Sequence, residues 1–447
     1  MSNNPANTPD SFLSHLKSVF AVTIHDAQEI IGNFHREMRS GLAGMKSSLK
    51  MIPSYIGRPT GREKGEYLVL DLGGTNVRVM EVELDGKGNT ALAAVNRFVI
   101  PQGLMSGTGD ELFDFMADCI HLFFKENCLA RQQTYDLAFT FSFPVEQLSL
   151  ASGKLIGWTK GFTASGVVGR DVVGLLSEAL QRKEMGFVQV AALANDTVGT
   201  LAAGSYADPC CDVGVILGTG TNACYPEMIA RIPKCPELGG PTGEMIVNIE
   251  WGGFSRIKTN IYDQDLDRAS HNSGKQQLEK MVSGMYLGEI VRRVIIDMMT
   301  EGLLFRGTGL SAFSTEYKLH TEHLSLVAQG ADILEDFGLR NVSEDDKRTI
   351  GELCHIVSTR SARIAGTAIA AVVTWMDENI ASNHTIAIDG TLFEKYPGYS
   401  EQVTRTLYEL FGACARRIKL TLVRDGSGIG AAISAAVAAS TRNVTVP

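Results

Sequence analysis

The chain has 447 residues, with 41 Lys and Arg against 50 Asp and Glu, for a net charge of −9. At 44% hydrophobic and 20% charged it is composed like a soluble globular protein, which excludes wholesale disorder, a collagen-like repeat and a coiled-coil rod. The acidic balance leaves no basic footprint for nucleic acid, so an anionic ligand must be met by local Lys, Arg or backbone N–H groups. In chain order, residues 23–41 predict an amphipathic helix. Thr23 and Asp26 stand at capping-box spacing, Ile24, Ala27, Ile30, Ile31, Phe34 and Met38 share one face, and Gly41 ends it. A turn-rich linker at 53–65 marks a domain boundary. Tyr67–Leu72 reads as a strand, Gly73-Gly74-Thr75-Asn76 as a turn, and Met80, Val82 and Leu84 alternate with Glu81 and Glu83 in a returning strand. Helical and strand segments then alternate through 200, an α/β region.

The same device recurs. Asp212–Leu217 is a strand, Gly218-Thr219-Gly220-Thr221-Asn222 a tight turn, and Ala223 starts the return. Two copies predict a duplicated architecture with one phosphate loop per half. Residues 273–301 read as one long helix, 305–348 as acidic loop and 350–379 as helix. The last unit is a strand at Leu420–Val423, a glycine turn and an alanine-rich helix. Glycine is over-represented, 46 of 447 against an ordinary share of about 7%, and it clusters in turns after apolar runs, as where backbone approaches a ligand. The eight cysteines form no C-x-x-C pair or zinc spacing and read as free thiols of a reducing cytosol. Neither a signal peptide nor a run of 18 apolar residues is present, which predicts a cytoplasmic chain without a membrane span.

Some motifs mislead. Gly426-x-Gly428-x-Gly430 imitates a dinucleotide fingerprint, but the 17 residues after Gly430 leave no room for the second strand and its acidic ribose ligand. Asp336-Phe337-Gly338 spells a protein-kinase motif with no H-R-D loop to go with it. The G-x-x-x-x-G-K-[ST] pattern is missing, and His320 and His323 lack a third metal ligand in view.

The Gly73–Asn76 turn can offer backbone N–H groups to a polyphosphate, Asp71 stands where a carboxylate could hold Mg²⁺ through water, and Arg78 can reach phosphate oxygens. A structural hairpin turn satisfies the same pattern, and the second turn at Gly218-Thr219-Gly220 tips the reading toward a cleft ATPase with two clamps. Between the turns lie short polar residues in apolar settings: Ser142 between Phe141 and Phe143, Thr159 and Lys160 between Trp158 and Phe162, and Asn195-Asp196-Thr197 after a strand-like run. On that triplet alone Asp196 or Thr197 is a helix N-cap. Glu250 alone is a strand-end charge, and Glu279 a solvated helix face. Together they form a set of amides, hydroxyls and carboxylates suited to a polyhydroxyl ligand, whose hydroxyls donate to carboxylates and accept from Asn, Ser or Thr.

Leu70–Arg78, Phe139–Pro144, Trp158–Phe162, Asn195–Gly199, Leu217–Tyr225 and Glu250–Gly252 resemble the motifs of the eukaryotic-type hexokinase family, which includes glucokinase, and Ser283–Glu289, Ile388–Thr391 and Asp425–Gly428 extend the match in order. The resemblance covers about residues 20 to 437 and implies an actin-like fold, similar to the Hsp70 ATPase and ribonuclease H-like: two α/β domains around a central cleft. It divides the chain into a small unit, 66–196 plus 430–447, and a large unit, 1–65 plus 197–429. It implies transfer of the γ-phosphoryl group of MgATP to the 6-hydroxyl of glucose and other hexoses, the entry step of glycolysis, by one kinase unit acting as monomer or homodimer without a membrane anchor. Ser142, Thr159, Lys160, Asn195, Asp196, Asn222, Glu250 and Glu279 would bind the sugar. Asp196 would take the hydroxyl proton, and Lys160 and Arg78 would stabilise charge on the moving phosphoryl. Gly73, Gly74, Thr75, Asn76, Gly218, Thr219 and Gly220 would cradle phosphates, and Gly390, Thr391, Gly426, Ser427 and Gly428 would frame the adenosine. Two departures stand out: Ala138 replaces a glycine usual before F-T-F-S-F-P, and Thr315-Glu316-Tyr317 stands where relatives often carry T-R-G. Rival readings are an actin-fold sugar sensor without turnover, which loss of Asp196 or Lys160 would favour, and an actin-fold chaperone ATPase, which would need a peptide-binding domain.

Overall fold

The computed structural model describes residues 8–444 apart from 75, 159, 160, 236–242 and 308; the candidate contacts Thr75, Thr159 and Lys160 therefore lie outside the described residues. The strands are β1 (Ile52–Pro53), β2 (Lys64–Leu72), β3 (Asn76–Asp85), β4 (Thr90–Val99), β5 (Tyr135–Phe141), β6 (Val145–Ser149), β7 (Ser152–Leu155), β8 (Val188–Ala194), β9 (Cys211–Leu217), β10 (Thr221–Met228), β11 (Glu244–Asn248), β12 (His384–Asp389) and β13 (Ile418–Leu422). The helices are α1 (Pro9–Val19), α2 (Ile24–Leu42), α3 (Gln102–Ser106), α4 (Gly109–Glu126), α5 (Val172–Arg182), α6 (Asp196–Ala207), α7 (Ile261–Ala269), α8 (Gln277–Val282), α9 (Gly284–Thr300), α10 (Thr321–Ala328), α11 (Glu344–Met376), α12 (Thr391–Lys395), α13 (Tyr399–Phe411) and α14 (Gly426–Val444).

The strands form a five-stranded sheet of order β4-β3-β2-β5-β8, a six-stranded sheet of order β1-β11-β10-β9-β12-β13, and the hairpin β6-β7. In the first sheet β2, β3 and β4 make an antiparallel meander, and β5 and β8 join in parallel. In the second, β9, β10 and β11 repeat the meander, and β12 and β13 repeat the parallel additions. The duplication expected from the two Gly/Thr/Asn turns is present strand for strand, with β1 added at one edge.

Alternation along β2 feeds two cores. Leu68, Leu70 and Leu72 pack with Phe113 and Phe123 of α4, while Tyr67 and Val69 pack with Ala431 and Ala432 of α14. Such a strand is buried on both faces, and each large apolar side chain contributes about 1.5–3 kcal/mol. Helix α14 lies over β2, β5 and β8, and α6 lies against β9, β10 and β12. The two helices cross at glycines, where a Cβ on Gly430 would stand 1.7 Å from the carbonyl oxygen of Gly199. The third glycine of the misleading fingerprint thus serves helix packing.

Several sequence expectations change. The helix at 23–41 forms as α2 with the Thr23–Asp26 capping box, but Gly41 lies inside its last turn, against Leu49 and Met51. The single helix expected over 273–301 is two, α8 and α9, because Ser283 is extended and the Gly284 and Met285 N–H groups donate to the Gly218 and Thr219 carbonyls at 2.8 and 3.1 Å. The loop-rich 305–348 contains α10, where His323 Nδ1 accepts from the His320 N–H and helps cap the helix. Phe337 of the kinase-like triplet is buried against Phe313. Helix α11 is long and apolar enough to cross a membrane, yet 89% of its most apolar window is buried inside the fold. All eight cysteines are free.

Candidate active site

Parallel pairing aligns the carboxyl ends of strands, where α/β sheets bind ligands. In the five-stranded sheet Leu72 pairs with Phe141 and Thr140 with Ala194, so Gly73, Ser142 and Asn195 stand side by side. In the six-stranded sheet Ile216 pairs with Asp389 and Ile388 with Leu422, so Gly218, Gly390 and the segment entering Gly426 do the same. A pocket joins the two halves, with Phe141 and Asn195 on one wall and Pro53, Asn248 and Glu250 on the other.

Asn222, Asn248, Glu250 and Glu279 converge although 57 residues separate the first from the last. The Asn222 Oδ1 accepts from the Ala223 and Trp251 N–H groups at 2.7 and 3.3 Å. That fixes which end of the amide donates, and its Nδ2 donates to Asn248 Oδ1 at 2.9 Å and Glu250 Oε1 at 3.1 Å. Asn248 Nδ2 donates to the same Glu250 oxygen at 3.0 Å, and Lys50 Nζ stands 3.7 Å from Oε2. Glu250 holds a left-handed backbone, φ 57 and ψ 50, a conformation that costs about 1–3 kcal/mol in a non-glycine residue and is common at functional sites. Trp251 locks it: the ring is fully buried against Phe34 and donates to Thr221 Oγ1 at 2.9 Å. Glu279 Oε2 accepts from the Thr221 N–H at 3.4 Å, and a Cβ on Gly220 would come within 3.2 Å of it. Glu279 is thus not a solvated helix charge but faces the second turn.

At the head of α6 the cap is Asn195, whose side chain accepts from the Thr197 N–H at 2.9 Å. Asp196 is the first helical residue, and its Oδ1 accepts from the Thr197 N–H and hydroxyl at 2.7 and 3.1 Å. The capping role expected for Asp196 or Thr197 therefore falls one residue earlier. Ser142 follows β5 between two rings 4.9 Å apart, Phe141 and Phe143. Phe143 packs on Trp158 and Phe162, which stack at 5.3 Å, and Trp158 donates to the Ala164 carbonyl at 2.8 Å.

On the phosphate side, Arg78 donates to Asp71 from Nε at 2.9 Å and Nη2 at 2.5 Å, to Asp425 from Nη1 at 2.6 Å, and to Ser427 Oγ at 3.4 Å. One backbone donor of each turn is spent inside it. The Gly73 N–H donates to the Asn76 carbonyl and the Gly218 N–H to the Gly220 carbonyl, each at 3.0 Å, so these donors close their own turns. Gly74 completes the first turn, and the Thr219 carbonyl is held by α9. Gly390, at φ 130, lies so close to Leu217 that a Cβ would stand 2.3 Å from its carbonyl oxygen. That approach brings Gly390 and Thr391, the first residue of α12, to Gly218. Gly426, Ser427 and Gly428 form the first turn of α14 nearer Arg78 and Thr140.

Three residues here were given no role by the sequence reading, although two of them lie inside its motifs. Asn248 is two residues before Glu250, the spacing that puts side chains on one face of a strand. Asp389 is the last residue of β12, before a glycine, where Asp71 is the last but one of β2, and Asp425 precedes Gly426. Burial and the nearby Asp425 and Asp196 push the Asp389 carboxyl up to about 6. Among the described residues no three His, Cys, Asp or Glu side chains are gathered tightly enough to cage a metal ion.

Comparison with known proteins accounts for this geometry. Two family models described as hexokinase match residues 212–437 and 13–206. Hexokinase-3 of Rattus norvegicus is 40% identical over 435 residues, covering 94% of this chain and 46% of the relative. Hexokinase-1 of Arabidopsis thaliana is 42% identical over 441 residues, covering 93% of this chain and 88% of the relative. The chain thus spans about half the length of the mammalian relative and most of the plant one. A solved structure of hexokinase from Schistosoma mansoni complexed with glucose superposes with a TM-score of 0.84 at 35% identity, covering 96% of this chain and 100% of that one. The repeated sheets have the actin-like fold that the motifs implied, and the chain belongs to the hexokinase family.

Proposed function

We propose that the protein is an ATP-dependent hexokinase, transferring the γ-phosphoryl group of MgATP to the 6-hydroxyl of glucose and related hexoses. The observation that carries this reading is the position of the Asn195–Asp196 pair. Asn195 shares a pocket with Asn248 and Glu250, and Asp196 is close enough to Asp389 to raise its carboxyl. A sugar held by Asn222, Glu250 and Glu279, with Ser142, Thr159, Lys160 and Asn195 from the facing unit, presents its 6-hydroxyl to Asp196. As the O6–P bond forms and the bond to ADP breaks, the hydroxyl proton passes to the Asp196 carboxylate. Arg78, already oriented by Asp71 and Asp425, stabilises the phosphoryl oxygens together with Lys160. The glycine turns at 218–220, 390–391 and 426–428 receive the nucleotide, and the cleft closes between the units 66–196 plus 430–447 and 1–65 plus 197–429.

The donor set fits Mg²⁺. Asp71, Asp196, Asp389 and Asp425 line the cleft against Arg78, a surplus of negative charge, and no protein cage is assembled among the described residues. That suits a cation held by Asp71, through water, and by the nucleotide's own phosphates. When bound, it neutralises phosphate charge.

A coupled assay of ATP consumption and hexose 6-phosphate formation across a panel of hexoses tests the reading. Turnover with glucose is expected, and Asp196→Asn should still bind sugar while slowing transfer by ~10² to 10⁴. Saturable glucose binding with no turnover in the unaltered protein would favour the sugar-sensor alternative.

A further inference from the structure

Lys280, on α8 next to the proposed sugar contact Glu279, is a buried cation, only 3% exposed. Its Nζ donates to Asp267 Oδ1 in the last turn of α7 at 2.6 Å and to the Asn272 carbonyl at 3.0 Å. The same carboxylate accepts the Gly274 N–H at 2.9 Å and the Ser273 hydroxyl at 3.4 Å. Between the helices, residues 271–275 include no apolar side chain and are exposed apart from half-buried Asn272. This segment has no core of its own to bury. It is wound instead around one ion pair, with a carbonyl on the ammonium and an N–H on the carboxylate.

The segment leads into Gln276 and Glu279. Gln276 precedes α8 with a left-handed backbone, φ 53 and ψ 46, a conformation that persists in a non-glycine residue only where its surroundings impose it. Helix α8 has six residues, too few for an isolated helix to be stable. Gln276 and Glu279 are one turn apart and both rest on the glycines after Glu250. A Cβ on Gly252 would stand 3.3 Å from Gln276 Nε2 and 3.2 Å from Glu279 Cβ, and one on Gly253 would stand 3.2 Å from Gln276 Oε1. Burial of Leu278, Met281 and Val282 holds the apolar face of α8. Its N-terminal end enters from the exposed segment and is tied by the ion pair. Lys280 projects from another side of the same short helix, so fixing its ammonium to α7 fixes the direction in which Glu279 meets the Thr221 N–H.

A buried ion pair is a poor source of stability, since packed hydrocarbon of similar volume often does as well or better. It is well suited to setting a direction, because ammonium, carboxylate, carbonyl and N–H have to meet at once. We propose that Lys280 and Asp267 are positioning residues for the sugar: their pair holds Gln276 and Glu279 on the Gly252–Gly253 step, so that the Glu279 carboxylate is in place before a hydroxyl arrives. This rests on the hexokinase reading of the cleft and adds two residues that act through Glu279.

Lys280→Met removes the ammonium and keeps the side chain's length. Calorimetric titration with glucose in the absence of ATP, and steady-state kinetics, both well below the melting temperature, test the proposal on the intact chain. Glucose affinity should fall and glucose KM rise by ~10-fold or more, with kcat within about threefold and the ATP KM within about twofold. Asp267→Asn, which keeps an acceptor without the charge, should move glucose affinity the same way by less. Amide hydrogen exchange should quicken in residues 270–276 and stay unchanged in the two sheets, which separates local release from a folding defect. Lys280→Met combined with Asp267→Leu replaces the pair by hydrocarbon, and should recover the melting temperature without recovering glucose affinity. Unchanged glucose affinity in the folded variants, equal changes in kcat and both KM values, or recovery of affinity together with stability in the double variant would overturn the proposal. No glucose binding by the unaltered protein would overturn the hexokinase reading itself.

Discussion

Arg78 of β3 and Asp425 at the head of α14 are joined by a 2.6 Å ion pair although 347 positions separate them in the chain. The pair links the five-stranded sheet to the segment leaving β13, and its guanidinium also holds the buried Asp71. Asp425 is 46% exposed on its side chain, so the pair contributes at most about 1 kcal/mol to stability. Its weight lies in aiming Arg78. Asp425→Asn should leave the melting temperature nearly unchanged and the sugar KM within about twofold, while kcat falls ~10-fold or more. A variant that loses stability but keeps kcat would make the pair a strut between elements.

Glu250 is an acceptor ringed by amides, with one oxygen taking hydrogen bonds from both Asn222 and Asn248. Glu250→Gln puts a donor into that ring and removes the charge that a sugar hydroxyl would meet. The sugar KM should rise ~10- to 100-fold and that for ATP should stay within about twofold. Asn248→Ala, which frees the Glu250 side chain without altering it, should move in the same direction by less. Equal increases in both constants would show that Glu250 supports the cleft as a whole.

The three tryptophans differ enough to report closure separately. Trp251 is fully buried and bonded to Thr221, so sugar has no water to remove from it. Trp158 is half-buried in the Phe141–Phe162 cluster, and Trp375 lies beside His35 with its N–H on Glu227. Glucose without ATP should therefore change the intrinsic fluorescence through Trp158. Trp158→Phe should abolish most of the response and Trp375→Phe none of it. A signal carried by Trp375 would place the moving surface elsewhere.

His384 offers a pH test of the fold. It is buried where β12 begins, with Nδ1 2.6 Å from Asp212 and Nε2 3.4 Å from Asp377. The hydrogen bond to Asp212 raises its pKa above the ordinary histidine value, while backbone N–H groups of Ser382 and Ala381 hold Asp377 down at about 2. A raised folded value means the imidazolium stabilises the fold fully below ~6.5 and less as pH rises through the folded value. The melting temperature of the unaltered protein should exceed that of His384→Gln most at pH 5–6, and the gap should narrow toward pH 9. A gap independent of pH would leave only a packing role for the ring.

Local chemistry made part of this legible in the sequence. The Thr23–Asp26 box, the two Gly/Thr/Asn turns and the alternation in β3 are written in neighbouring residues, and each formed close to where expected. What was hidden depends on partners far along the chain. Ser283-Gly284 offers a weak break signal, but the partners that hold the break, the carbonyls of Gly218 and Thr219, lie far along the chain. The Gly73 and Gly218 amides looked available to phosphate because their acceptors, the carbonyls of Asn76 and Gly220, depend on how tightly each turn closes. Asp389 and Asp425 resemble ordinary strand-end carboxylates until the sheets place them beside Asp196 and Arg78. Glu279 becomes a cleft residue only when α8 is laid against Gly220 and Gly252.

The crossing of α6 and α14 has a consequence for how this sequence tolerates change. Backbone meets backbone there, so neither neighbour can yield a side-chain rotamer to admit even one methyl group on Gly430. The same helices begin at Asp196 and Gly426, so any shift forced at the crossing is carried to the two ends proposed to meet the reactants. In a saturation mutagenesis screen the Gly199–Gly430 contact should be as intolerant as the carboxylates of the cleft, because its glycines set how closely α6 and α14 approach.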